Sequence, residues 1–412
     1  MLVVLAGIFF LGVLWQVDEA IPFAGAGDDK DYFNASKRSF NSVSDWFDLR
    51  QFSRTHEQAG YPLVLSWVHQ LVGDSLYHRK ALNIFFFLML TLVWFGIGKQ
   101  IGGRHLGFVS ASGVLLATPL WFYWIFLFKD MLITFLQSIF ILGLMRSLSH
   151  RSVAKGYGLI VLSTLLTIPF RSKLALVNLA ALAGTTILGT GSRRSWESSL
   201  LKVAMTGGII LSILIAGRNP EILQQLGVAG EHRSLDTESV QAEFEIKGRS
   251  RSAQFTNVLT FPLLYLMGEV AAFNPKSWGD VGALLIRGLS MVPWIYVGLP
   301  LFVRGTWIIL RQQRFREGAV HISAGQEGDP LIDPVRPERA HLLVLLMFVL
   351  IYAGVAWGSG DTTRWRMPAM PPMVAIAGFA WVTMNKQQRF GMLLGWGLLL
   401  SVSLMVYYAV LR

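Results

Sequence analysis

The sequence predicts an all-α polytopic membrane protein with eleven transmembrane helices and amphipathic surface helices in a long first external loop. Three observations lead there. Of 412 residues, 53% are hydrophobic and only 15% charged, whereas a soluble chain of this length needs more charge to cover its surface. The apolar residues gather in runs near 1–17, 81–98, 106–128, 131–145, 157–170, 174–190, 200–217, 288–310, 340–358, 367–384 and 391–411. Several of these sit near the lower length limit for a membrane helix. Finally, the excess of Lys and Arg falls on alternate connections, as the positive-inside rule requires. Lys99 and Arg104, then Arg146, Arg151 and Lys155, then Arg193, Arg194 and Lys202 mark the cytoplasmic set. The N-terminus is then cytoplasmic, and the loop 18–80 is external. A net charge of +11 raises the question of nucleic acid, but its distribution is that of membrane topology, so no nucleic-acid partner is expected.

The first run has no basic residues before it and is expected to stay as an anchor, not to be cleaved as a signal peptide. Directly after it comes Gly27-Asp28-Asp29-Lys30-Asp31-Tyr32. In a helix Asp28, Asp31 and Tyr32 share one face, which would aim a carboxylate into a cavity at the membrane surface. The competing reading is a solvated helix start, where acidic residues are favoured electrostatically. Stretches 44–52 and 61–72 mix aromatic, aliphatic and polar residues at helical spacing, as helices lying on the membrane do. Pro62 suits the first turn of the second.

The runs 106–128 and 131–145 predict a hairpin with Phe128-Lys129-Asp130-Met131 at its external tip. Those charges are either a snorkelling, self-neutralised pair or a second acidic group facing the cavity of Asp28. The turn holding Arg171 and Lys173 runs against the positive-inside trend. A bound phosphate would explain it, because guanidinium offers a planar fork of donors; anionic lipid headgroups would explain it equally.

Residues 218–287 form a second external loop, with 231–252 expected to be mobile and 255–273, which carries Glu269, an interfacial or re-entrant helix or an extra span. The cytoplasmic stretch 311–339 reads as a connector. Before the run 367–384, Asp361-Thr362-Thr363-Arg364-Trp365-Arg366-Met367-Pro368 puts two more arginines outside, as an interfacial anchor or as phosphate ligands. The chain thus divides into a catalytic-type membrane module over 1–217, the external loop 218–287, and C-terminal membrane helices over 288–412.

Zero cysteines exclude disulfides, thiolate metal sites and cysteine nucleophiles. There is no phosphate-binding Gly-rich loop, no H-E-x-x-H and no serine-nucleophile motif. His56, His69 and His78 share a loop, but their spacing fits no zinc pattern, so no metal ligands are assigned.

In order and placement, these features resemble the polyprenyl-phosphate-dependent glycosyltransferases of the C superfamily, of the protein O-mannosyltransferase and aminoarabinose-transferase type. The acidic stretch with Tyr32, the segment Tyr61-Pro62-Leu63 to Gly73 with Asn83, Lys129-Asp130, and Arg364 to Pro368 carry the resemblance, which spans most of 1–190 and 359–384. It implies transfer of a sugar from a polyprenyl-phosphate donor to a hydroxyl of a glycan, lipid or protein at the external face of a bacterial inner membrane. It assigns catalysis to Asp28, Asp29 and Asp130, with the base open among Asp28, Asp29 and Asp31. Donor phosphate falls to Arg171, Arg364, Arg366 and Lys129, and the acceptor cavity to Tyr32, Asp31 and His56. No cofactor is required, and a divalent cation, Mg or Mn, is compatible with it. The alternative from the same pathway is a lipid-linked polysaccharide polymerase or a flippase.

Overall fold

The computed structural model describes residues 2–20, 22–23, 28–38, 40–49, 52, 59–148, 153–190, 265–266, 291–311, 339–359 and 366–411. Every regular element among them is helical. In chain order they are α1 (Leu2–Ala20), α2 (Asp28–Ala35), α3 (Gly60–Val72), α4 (Leu76–Leu115), α5 (Thr118–Ile125), α6 (Asp130–Leu148), α7 (Val153–Thr167), α8 (Lys173–Thr190), α9 (Leu299–Arg311), α10 (Arg339–Ser359), α11 (Met370–Thr383) and α12 (Lys386–Leu411). Three stretches, Leu76–Leu115, Asp130–Leu148 and Met291–Arg311, are long and apolar enough to cross a membrane. Shorter apolar helices include Val153–Thr167, Ala340–Ala356 and Met367–Thr383. The expected run 200–217 and nearly all of 255–273 lie outside the described residues.

The helix α4 is really two arms. At Gly103 φ is 78°, a conformation glycine adopts at little cost, and there the chain turns back on itself. A Cβ on Gly98 would fall 2.7 Å from the carbonyl of Leu106, and the rings of Phe95 and Phe108 lie 5.1 Å apart. In an unbroken helix residues that far apart in sequence would be separated by about 20 Å. The fold-back agrees with the connection expected between runs 81–98 and 106–128. The second of those runs is not one helix, however. It breaks at Leu116-Ala117, and Pro119 opens the short α5, because proline cannot donate to the preceding turn.

Small residues set the closest contacts elsewhere. A Cβ on Gly143 of α6 would lie 2.9 Å from the carbonyl of Gly156 in α7, the close approach that small residues permit between membrane helices. Both arms of α4, α6 and α11 form the centre of the bundle, with α1 against α4, α8 against α10, and α9 against α11.

Stretch 44–52 is not a surface helix. Val43–Trp46 makes a single 3-10 turn, started by a capping box in which the Asp45 carboxylate accepts from the backbone N–H of Asn41 and Ser42 at 2.8 and 2.9 Å. Around it Phe40, Phe52, Ala59 and Leu63 form a small apolar cluster with Trp46 and Trp67 packed on it.

Candidate functional site

The site grows from four stretches that the fold brings together at one end of the bundle. Asn83, in the first turns of α4, is the joint. Its Nδ2 donates to the carbonyls of Tyr123, Phe126 and Phe128 at 3.3, 2.9 and 3.1 Å, fixing the irregular strip between α5 and α6. Its Oδ1 accepts from the Tyr61 hydroxyl at 3.1 Å, which fixes α3. Gly60 then donates its N–H to the Pro169 carbonyl at 3.1 Å, and a Cβ there would sit 2.8 Å from that proline. The helix α3 is thereby held against the turn that carries Arg171.

On this frame the charged side chains converge. Arg171 donates from Nη2 to Asp130 Oδ1 at 3.1 Å, and both side chains are buried. Lys129, also buried, lies over the Tyr32 ring, 5.5 Å from its centroid, and Tyr32 meets Tyr61 edge-on at 5.2 Å. Asp29 is completely buried. Burial, together with the nearby Tyr32, Asp130 and Asp29, pushes the Tyr61 phenol well above its ordinary range, so it stays a hydrogen-bond donor to Asn83. Two carboxylates from different helices therefore act on one phenol. Asp29 is also close enough to Lys80 for their charges to interact, and Lys80 is bonded to Asp18 at the end of α1.

A second set joins from the far end of the sequence. Arg366 is 1% exposed and donates from Nη2 to Met291 Sδ at 3.4 Å. The 3-10 turn Met367–Ala369 that follows packs on α6, the helix opened by Asp130. The charge of Arg366 reaches the buried Tyr265; Tyr265 interacts with Tyr352 of α10, and Tyr352 with Arg171.

The sequence-derived residues divide as follows. Asp29, Tyr32, Lys129, Asp130, Arg171 and Arg366 are buried. Asp31 points outward, so the expected face of Asp28, Asp31 and Tyr32 does not turn inward as a set; Asp29 and Tyr32 are buried on α2, and Ser36 just beyond its end. Asp28 opens α2, and its side chain lies outside the described residues, as do His56 and Arg364. Lys129 and Asp130 do not snorkel, since both are buried, and Asp130 is paired with Arg171. Sequence reasoning passed over Lys80, Asp18, Tyr265 and Tyr352. Lys80 carried the same signal as Arg171, a basic residue at an end of an apolar run that the charge pattern reads as external. Among the described residues, no three His, Asp or Glu side chains gather to hold a metal ion.

No family model matches the chain, and no curated protein does. The chain is similar to the crystal structure of ArnT from Cupriavidus metallidurans bound to undecaprenyl phosphate, at 14% identity and a TM-score of 0.48, over 97% of this chain and 64% of that one. The same protein in the apo state gives 14% identity and a TM-score of 0.40, over 91% of this chain and 76% of that one. This chain spans 64% of the length of the undecaprenyl-phosphate-bound ArnT structure.

Proposed function

We propose that this protein is an integral-membrane glycosyltransferase that moves a sugar from a polyprenyl-phosphate donor to a hydroxyl of a glycan, lipid or protein acceptor at the external face. The supporting observation is a fully buried acid, Asp29, on the helix whose Tyr32 packs against Tyr61 and under Lys129, the residue next in sequence to the buried Asp130–Arg171 pair. These groups come from stretches that also carry the motif resemblance.

In this reading Asp29 takes the acceptor's hydroxyl proton, the freed oxygen attacks the anomeric carbon, and the bond from that carbon to the phosphate oxygen breaks. The electron pair leaves with the polyprenyl phosphate, and a single displacement inverts the anomeric centre. A carboxylate held away from bulk water is suited to the proton transfer. Negative charge grows on the leaving phosphate, and fixed cations stabilise it there at no cost of reorganisation. Arg171, Arg366 and Lys129 supply them, with Arg364 as the fourth candidate. Asp130 orients the Arg171 fork. Tyr32 lines the acceptor side. The lipid tail lies between membrane helices, which is why the chemistry sits at the end of the bundle.

The test is transfer of a radiolabelled sugar from undecaprenyl-phosphate-linked donors by the purified protein in lipid. Asp29→Asn is expected to lower kcat by about 100-fold or more, while the outward Asp31→Asn stays within about threefold of wild type. Wild-type turnover by Asp29→Asn would move the base to Asp28. Wild-type turnover by Asp28→Asn as well would end the base-catalysed reading.

A further inference from the structure

One buried guanidinium belongs to none of the groups above. Arg79, in the first turn of α4, is 0% exposed. Its Nη2 donates to Asp74 Oδ1 at 2.9 Å, and Asp74 is half exposed on the short link between α3 and α4. Its Nε and Nη1 are buried as well and have no hydrogen-bond partner among the described residues. The guanidinium lies over the Phe33 ring of α2, 4.5 Å from the centroid. Stacking of that kind occupies the face of the group and leaves its N–H donors at the edge. Lys37, just past the end of α2, lies over the same ring at 4.4 Å, and its side chain is exposed. The two cations are therefore less than about 9 Å apart, within a Debye length of each other.

The electrostatics of this corner call for an anion. Asp74 is the carboxylate that pairs with Arg79, and His69 approaches the same oxygen at 3.7 Å, so one negative charge is shared among several basic groups. The positive pole of α4 lies at the same place, and the first turn of that helix holds no acid. Buried donors that bond nothing carry a desolvation cost, which an incoming acceptor removes. Phosphate suits the arrangement better than a carboxylate. It presents oxygens in several directions, so Arg79 and Lys37 can each donate to a different one.

We infer that Arg79 and Lys37, gathered on Phe33, form an anion site that takes a phosphate group, built from residues other than the donor-phosphate set of Arg171, Arg366 and Lys129. The phosphate is carried by a lipid headgroup or by a soluble molecule; the chemistry recognised is the same. The site goes beyond the transfer reaction and does not depend on it, so its test needs no turnover.

Thermal unfolding of the full chain in neutral detergent reads the binding. The probes are inorganic phosphate and, separately, short-chain phosphatidylglycerol, with short-chain phosphatidylcholine as the control of zero net charge. Wild type is expected to be stabilised in a saturable way by an anionic probe. Arg79→Gln should weaken that affinity by about 10- to 100-fold, as loss of a charged hydrogen bond does. Lys37→Gln, an exposed change that leaves the fold intact, should weaken it by about two- to fivefold. Asp74→Asn removes the competing carboxylate and should tighten binding, the opposite of what loss of a structural bond would do. Stabilisation by both anionic probes identifies a site for phosphate itself, and stabilisation by phosphatidylglycerol alone identifies a headgroup site. The inference is overturned if neither anionic probe stabilises wild type, or if phosphatidylcholine does so equally. Wild-type affinity in all three variants would also overturn it, by leaving the phosphate to the donor residues. Should Arg79→Gln not fold, the opposite shifts expected of Lys37→Gln and Asp74→Asn still decide the matter.

Discussion

At the scale of single residues, the Asp130–Arg171 pair sets the energetics of the site. Both partners are buried, and their bond is 3.1 Å long. Such a pair adds little net stability, since desolvation offsets the attraction, but removing one partner leaves a buried charge and costs about 3–5 kcal/mol. Arg171→Ala is therefore expected to lower the melting temperature sharply. Combining it with Asp130→Asn should cost much less than the sum of the two single changes, because the stranded carboxylate has been removed. Differential scanning fluorimetry on the four proteins measures this. An additive result would mean that the two side chains do not support one another. The sequence showed both residues as anomalies, an acid and a base at the outer ends of apolar runs, but spacing alone could not join positions that meet only through tertiary packing. The acidic stretch teaches the same lesson about register. Successive helical residues differ by about 100° around the axis, so once Tyr32 packs against Tyr61, Asp29 follows it inward and Asp31 turns out. Nothing in a run of three aspartates reveals which one the aromatic contact will select.

At the scale of elements, the geometry of that pair depends on how α6 meets α7. Asp130 opens α6, and α7 leads into the turn that carries Arg171. Gly156 is where the two helices come closest: a Cβ there would fall 2.5 Å from the backbone nitrogen of Ser147 and 2.8 Å from the carbonyl of Gly143. Backbone cannot swing aside as a side chain can, so the helices must separate. Gly156→Ala is expected to cost about 1–3 kcal/mol and to reduce activity in step, because the displacement is transmitted to Asp130 and Arg171. A Cβ on Gly158, also in α7, would meet nothing within 4 Å, so Gly158→Ala serves as a control and should melt at or above the wild-type temperature. Equal losses in the two variants would show that helix propensity, not the close contact, is at work. Hydrophobic runs made the long elements legible in the sequence. The breaks were not, because they depend on local detail: Pro119 after Ala117, and the single turn that the Asp45 carboxylate caps where the pattern predicts a helix over 44–52.

At the scale of the whole molecule, packing fixes which helix ends lie together, and so makes a topological claim stronger than counting spans. The first arm of α4 starts beside the site at Lys80 and Asn83 and reverses at Gly102-Gly103, next to the exposed Arg104 and His105. That arm is about 39 Å long, enough to cross the hydrocarbon layer of about 30 Å. In α11, a Cβ on Gly378 would meet Val109, and a Cβ on Gly113 would meet Val374, so α11 runs antiparallel to the second arm of α4. It therefore starts beside the site, after Arg366, and ends near Arg104. Lys386, which opens α12 three residues further on, belongs at the same end as Arg104, whatever path residues 191–290 take. Charge counting reached the same pairing, but it depended on whether 255–273 crosses the membrane; the contacts of α11 with α4 do not. The absence of cysteine makes this directly testable with single introduced thiols. Asp31→Cys is expected to react with a membrane-impermeant maleimide in intact cells. Arg104→Cys and Lys386→Cys should react only after permeabilisation, as the positive-inside rule demands of the basic ends. Labelling of Lys386→Cys together with Asp31→Cys would contradict the packing of α11 on α4, and with it the placement of Arg366 at the end of the bundle where Asp130 opens α6.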